Sequence, residues 1–165
     1  MIHATRRRRT LLACSLGLVL PALPAQAAQH AESEATTIRL VSITTKYRVL
    51  VDTARKGEPD AGDVVWARST LRNAVPQFGK PKGAIVGSDV GTFTVVSGSV
   101  GDVKVAVTLP GGTLRTAGRI RDNTVQVTRV TGGTGTYAGA RGTCEVRPIG
   151  ASAHKASNVY RLRLP

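Results

Sequence analysis

Few side chains in this chain can do chemistry, and their types narrow what that chemistry is. Asp52 closes a run rich in Ile, Val and Thr, and Asp63 closes the polar stretch Glu58-Pro59-Asp60-Ala61-Gly62-Asp63. A carboxyl at either place serves as a general acid or base if it faces a pocket. If it does not, it is a solvated strand-end residue or a turn cap. Cys144 alternates with Val146 and has no base beside it, which reads as a small buried hydrophobe, not a nucleophile. His30 and His154 fall in no ligand-spaced cluster, so no metal site is expected. Trp66, Phe93 and Tyr137 are the aromatic candidates for lining a binding pocket, with core packing the competing role for Tyr137.

One apparent motif is set aside. Gly133-Thr134-Gly135-Thr136-Tyr137-Ala138 matches the G-x-G-x-x-A dinucleotide fingerprint and follows a strand-like segment. That fingerprint needs a helix whose N-terminus meets the pyrophosphate. Here the chain continues Gly139-Ala140-Arg141-Gly142 and then into another strand-like run before Pro148, so no nucleotide cofactor is expected.

The elements that must position these residues are strands. No stretch holds a helical period, whereas Val and Thr abound and seventeen of the 18 glycines follow residue 27. Alternation predicts strands over Thr37–Asp52 (one long strand with a break), Val64–Arg72, Ile85–Val96, Val103–Leu109, Leu114–Arg121, Val125–Val130, Thr143–Arg147 and Val159–Leu164. Gly87 and Gly91 are expected bulges or bends, and Asp122-Asn123 a tight turn. A two-residue loop at Pro110-Gly111 pairs Leu109 with Gly112, Val107 with Leu114 and Val105 with Thr116. A slip by one residue sets Val107 against Arg115 and mixes the faces; a four-residue loop keeps the parity. Some eight strands in a meander close into an up-and-down antiparallel barrel able to hold one small ligand, with a two-sheet sandwich as the alternative.

The N-terminus carries an export pattern. Arg6 to Arg9 precede the apolar run Leu11–Leu23, and Ala25-Gln26-Ala27 is a small-x-small cleavage site. Cleavage is expected after Ala27, or after Ala25, by the general or the twin-arginine route, giving a secreted or extracytoplasmic protein with no stable membrane insertion. Residues 28–36 read as a disordered lead-in and 37–165 as one domain. The whole chain carries +13; four arginines leave with the signal, so +9 remains. The basic residues are scattered singly or in twos with few aromatics among them, which argues against nucleic acid as a partner.

The glycine-rich block also carries a resemblance. Val130-Thr131-Gly132-Gly133-Thr134-Gly135-Thr136-Tyr137-Ala138-Gly139-Ala140-Arg141-Gly142 resembles the V-x-G-G-T-G-x-[FY]-x-x-A-R-G signature of dirigent proteins and allene-oxide-cyclase-like barrels. Residues 52–63 are similar to the D-x(n)-G-x-x-x-G-D stretch of bacterial members. Gly87-Ser88-Asp89-Val90-Gly91-Thr92-Phe93-Thr94 resembles their G-x-x-x-G-x-[CF]-T strand, and Leu109-Pro110-Gly111-Gly112 and Tyr160-Arg161-Leu162 also fit. The resemblance implies an eight-stranded antiparallel barrel, often trimeric, with an apolar cavity holding a few polar residues. It also implies cofactor-free steering of small hydrophobic molecules, by cyclisation, isomerisation or stereocontrol. Tyr137 fills the aromatic slot, and Arg141 matches an arginine that lies near the cavity in dirigent proteins; a brace for the glycine-rich turn is its other role. On this basis Arg141, Asp52 and Asp63 are the candidate catalytic residues, with Arg141 and Asp52 expected as an inward charged pair. Tyr137, Phe93 and Trp66 are the candidate binding residues. A non-catalytic small-ligand-binding barrel is the alternative function.

Overall fold

The computed structural model describes residues 35–53, 60–121, 124–150 and 154–165. The export segment, residues 28–34 of the lead-in, residues 54–59 and the Asp122-Asn123 turn lie outside them. The described strands are β1 (Ala35–Val51), β2 (Val64–Asn73), β3 (Ile85–Ser97), β4 (Val100–Leu109), β5 (Gly112–Arg121), β6 (Gln126–Gly133), β7 (Arg141–Pro148) and β8 (Lys155–Arg163). Each pairs antiparallel with its neighbours in sequence, and β8 pairs with β1, so the sheet closes into a barrel. Closure excludes the sandwich. A 3-10 turn at Gly135–Tyr137 is the one helical element among the described residues.

The period-two pattern decides which way each side chain faces. In the β4–β5 hairpin Leu109 lies opposite Gly112, Val107 opposite Leu114 and Val105 opposite Thr116, the register the alternation requires. β1 has register shifts between Thr44 and Lys46 and between Val49 and Val51, so its break is two bulges. β3 carries an irregularity beside Gly87, where Leu71 faces Gly87 but Arg72 faces Ile85. Gly91 sits in regular pairing between Ala67 and Val105 and is not a bulge. A Cβ there would come within 3.2 Å of Val105 Cγ2, so glycine at this place keeps the inner wall clear.

The two ends of the barrel differ. Where β1 begins and β2 ends, the interior is plugged by Leu40, Leu71, Val107, Leu114, Val130 and Leu162, each almost wholly buried. The other end holds a cavity. At the plugged end the glycine-rich block docks on the β4–β5 turn. Thr136 donates its backbone N–H to Gly111 O (2.9 Å) and Thr134 to Thr113 O (2.8 Å). The Thr113 and Thr134 hydroxyls meet at 2.7 Å, and the buried Tyr137 donates its hydroxyl to Pro110 O at 3.0 Å. Gly135 makes this approach possible: its φ is +60°, and a Cβ on it would collide with the Gly111 carbonyl oxygen. Gly135→Ala is therefore expected to cost roughly 2–3 kcal/mol of stability in urea unfolding; a loss under about 0.5 kcal/mol would show that the clamp carries no strain-free requirement.

Candidate functional site

β3 places the acid of the site. Its inner face is Gly87, Asp89, Gly91, Phe93 by strict alternation, and the glycines on either side of Asp89 leave the carboxyl open to the barrel interior. Asp89 lies across from Ser69 on β2 and Val107 on β4, at the level where the plug gives way to the cavity. The cavity above it encloses about 240 Å³. Its walls are mostly apolar, formed by Val65, Phe93, Val103, Val105, Ile120 and Val146, with Ser42, Thr92 and Gln126 among them. Polar atoms gather at the floor, where Asp89 is joined by Tyr160, Cys144, Thr128 and Asn158. Among the described lining residues none is Lys, Arg or His.

The ionisable groups of the floor are all shifted toward their neutral forms. Burial raises the Asp89 carboxyl above the usual carboxylate range, and hydrogen bonds from Ser69 only partly oppose the rise. Among the described residues no cation lines the cavity to favour the anion, so desolvation wins. Cys144 and Tyr160 are cross-strand partners on β7 and β8, and thiol and phenol are hydrogen-bonded. Burial pushes the Cys144 thiol up to about 12 and the Tyr160 hydroxyl well above its ordinary value, with the Asp89 charge adding to both. Cys144 is thus the buried small hydrophobe its alternation implied, though it edges the cavity. In its protonated form the carboxyl, like the phenol beside it, can donate a hydrogen bond, or a proton, to an oxygen of an apolar guest.

The residues singled out from sequence are distributed differently. Phe93 lines the cavity. Trp66 lies on the outer face opposite Arg48, whose guanidinium carbon is 5.0 Å from the ring centre. Tyr137 packs in the plug. Arg141 is exposed on the outer face of β7 at the plugged end and donates to Ala140 O (3.0 Å) and Thr131 O (3.3 Å), which braces the glycine-rich turn. Asp63 caps the β2 entrance: its carboxylate accepts from Thr53 N (2.6 Å), Thr53 Oγ1 (2.7 Å) and Asp60 N (2.9 Å). The Thr53 backbone N–H, first among these, holds the carboxyl below its usual range. Asp52 is exposed at the end of β1.

The structure does not bring Arg141 and Asp52 together. Arg141 pairs with Arg163, which pairs with Ala35 at the start of β1. Asp52 follows the other end of β1, on the order of 50 Å of strand away. The expectation failed because adjacency of strands says nothing about position along them. The missed residue, Asp89, lay within the G-S-D-V-G-T-F-T segment. Its signal was parity: an acid spaced two residues from glycines and four from Phe93 on one strand face.

No protein-family model matches the chain, and no curated protein matches it by sequence. Solved structures match its fold. A pyocyanin demethylase superposes with TM-score 0.63 at 20% identity, covering 77% of this chain and 99% of that one. A pterocarpan synthase dirigent protein gives 0.59 at 19% identity, over 79% of this chain and 94% of that one. A Diels-Alderase from Streptomyces koyangensis gives 0.63 at 18%, over 82% and 71%. The closed barrel of this chain is the barrel of dirigent proteins and Diels-Alderases.

Proposed function

We propose that this protein encloses a small hydrophobic, natural-product-like intermediate in its barrel and steers its cyclisation or isomerisation without a cofactor, with Asp89 as the proton donor. The observation that carries the reading is one carboxyl, buried on the floor of a largely apolar cavity and shifted by that burial toward its protonated form. The walls restrain a reactive conformer. Asp89 and Tyr160 donate to a carbonyl or quinone-methide-like oxygen as negative charge develops on it. Neighbours of the same fold whose names specify a dirigent protein and a Diels-Alderase support this class of reaction. That none of the described lining residues is a cation favours an uncharged guest, and it keeps passive carriage as the second reading. The two separate on whether Asp89→Asn changes conversion of a bound guest or only its affinity. Export through the Arg6–Leu23 segment and assembly as a trimer belong to the same proposal.

One experiment tests the main terms. Native mass spectrometry of protein recovered from the culture medium is expected to show chains beginning near Ala28, a trimeric mass and a retained small molecule. Ala67→Phe, which fills the cavity from β2, is expected to release that molecule. Full-length chains confined to the cytosol would overturn export. Retention unchanged by Ala67→Phe would overturn the cavity as the binding place.

A further inference from the structure

Charge is distributed unevenly along the barrel axis. Asp52, Asp60, Asp63 and Asp102 stand at the cavity end, Glu145 lies midway along β7 and Asp89 is inside. The plugged end carries Arg39, Arg72, Lys80, Lys82, Arg115, Arg141 and Arg163 and, among the described residues, no acidic side chain. Among the described residues the ion pairs are Arg119 with Asp102 and both Arg147 and Arg161 with Glu145; the last comes within two residues of Arg163 but includes none of the seven cations of that end. Among the described residues, the side-chain contacts of the cations there are to neutral carbonyls: Arg72 to Gly83 O, Lys80 to Ile85 O and Arg141 to Ala140 O and Thr131 O. Arg141 and Arg163 are direct cross-strand partners, a like-charge arrangement that costs stability unless an anion answers it. The same end presents Val75 and Ile85 as exposed apolar side chains, on the loop that carries Lys80 and Lys82 and on the strand it enters.

We propose that the plugged end of the barrel docks on an anionic lipid bilayer, with the cavity mouth turned toward water. The cations come from β1, β2, the β2–β3 loop, β5, β7 and β8, so they ring a barrel end instead of tracking a line. A ring fits a charged plane better than it fits one linear polyanion. Apolar tips beside lysines are the interfacial arrangement in which side chains enter the headgroup layer while the charges stay at its surface. The inference concerns the outer surface and does not depend on what the cavity holds.

The test is co-sedimentation of the full chain with vesicles of phosphatidylcholine and phosphatidylglycerol in a two-to-one mixture, against pure phosphatidylcholine. Any contribution of the apolar N-terminal segment is common to all variants and cancels in their ratios. Each basic residue near such a surface contributes about fivefold in partition. The triple variant Lys82→Gln, Arg115→Gln, Arg163→Gln is expected to lose roughly 100-fold. The matched triple Lys46→Gln, Arg121→Gln, Lys155→Gln, at the mouth, is expected to lose less than about threefold, because its sites lie beyond a Debye length from the lipid. If the first triple does not fold, Lys82→Glu alone on the exposed loop is expected to lose at least about tenfold. In a Trp66→Phe background, Val75→Trp is quenched by brominated acyl chains and Val96→Trp is not. Equal losses from both triples, or quenching of both tryptophans, would overturn the proposal. So would retention on heparin or DNA by a chain that ignores the anionic vesicles.

Discussion

Asp89→Asn is expected to leave the barrel folded and to slow conversion of the bound guest by roughly 100-fold or more, the range for loss of a positioned proton donor. The amide preserves the shape of the carboxyl and its hydrogen bond to Ser69, so a structural role alone predicts little change. The pH profile sharpens the test. The working form is the protonated acid, so wild-type turnover falls as pH rises through the raised value of Asp89, while the residual turnover of the variant is flat across that range. Stability carries the same sign. The carboxyl is raised in the folded chain and ordinary, near 4, in the unfolded chain. The folded state therefore holds more protons between those two values, and wild-type stability declines with pH across that window. Asn has no proton to lose, so the variant gains on the wild type from acid to neutral pH. Urea unfolding on both sides of the window measures this. A stability difference independent of pH, with turnover unchanged, would remove Asp89 from the mechanism.

Leu40→Ala is expected to cost about 3–4 kcal/mol in the same unfolding experiment, as for large-to-small changes at fully enclosed sites. Leu40 has no exposed surface and lies in the plug with Leu71, Leu114 and Leu162. The barrel cannot collapse onto the vacated space, because closed strand pairing on every side fixes the wall. Val103→Ala, on the cavity wall, removes contacts that face an open space and is expected to cost closer to 1 kcal/mol. Comparable costs at the two sites would mean that the interior is one uniform core and not a plug beneath a hollow.

The difference between the two ends also explains what was legible in the chain. Where strands are regular and hairpins tight, alternation fixes both pairing and facing: the β4–β5 register followed from the colours of two faces alone. Phe93 falls on the cavity face by the same logic, and Arg141 falls outside it, since it is an odd number of residues from Cys144, which is inward. Asp52 was not readable in this way. Two bulges in β1 each shift the parity, and composition does not mark either one. The glycine-rich block was conspicuous for a physical reason unrelated to chemistry: close backbone approach to the β4–β5 turn demands glycine and small hydroxyl residues in fixed order. Asp89 was inconspicuous because a single acid in a short polar run resembles a turn, and only its distance of two from each flanking glycine assigns it to the interior.

Every ladder but one joins strands adjacent in sequence; the exception joins β1 to β8 across more than a hundred residues, from Ala35 with Arg163 to Ile43 with Lys155. The other seven ladders join strands consecutive in sequence, across connections of two to twelve residues, and can form before it. The last ladder must bring the two ends of the domain together, and its entropy of closure is paid before any of its contacts form. It also couples the ends: a chain that has not yet delivered β8 leaves one side of β1 unpaired and Leu40 without the wall that encloses it. The barrel therefore becomes a barrel in its final strand, and truncation there undoes the plug, the cavity floor at Tyr160 and the first strand together.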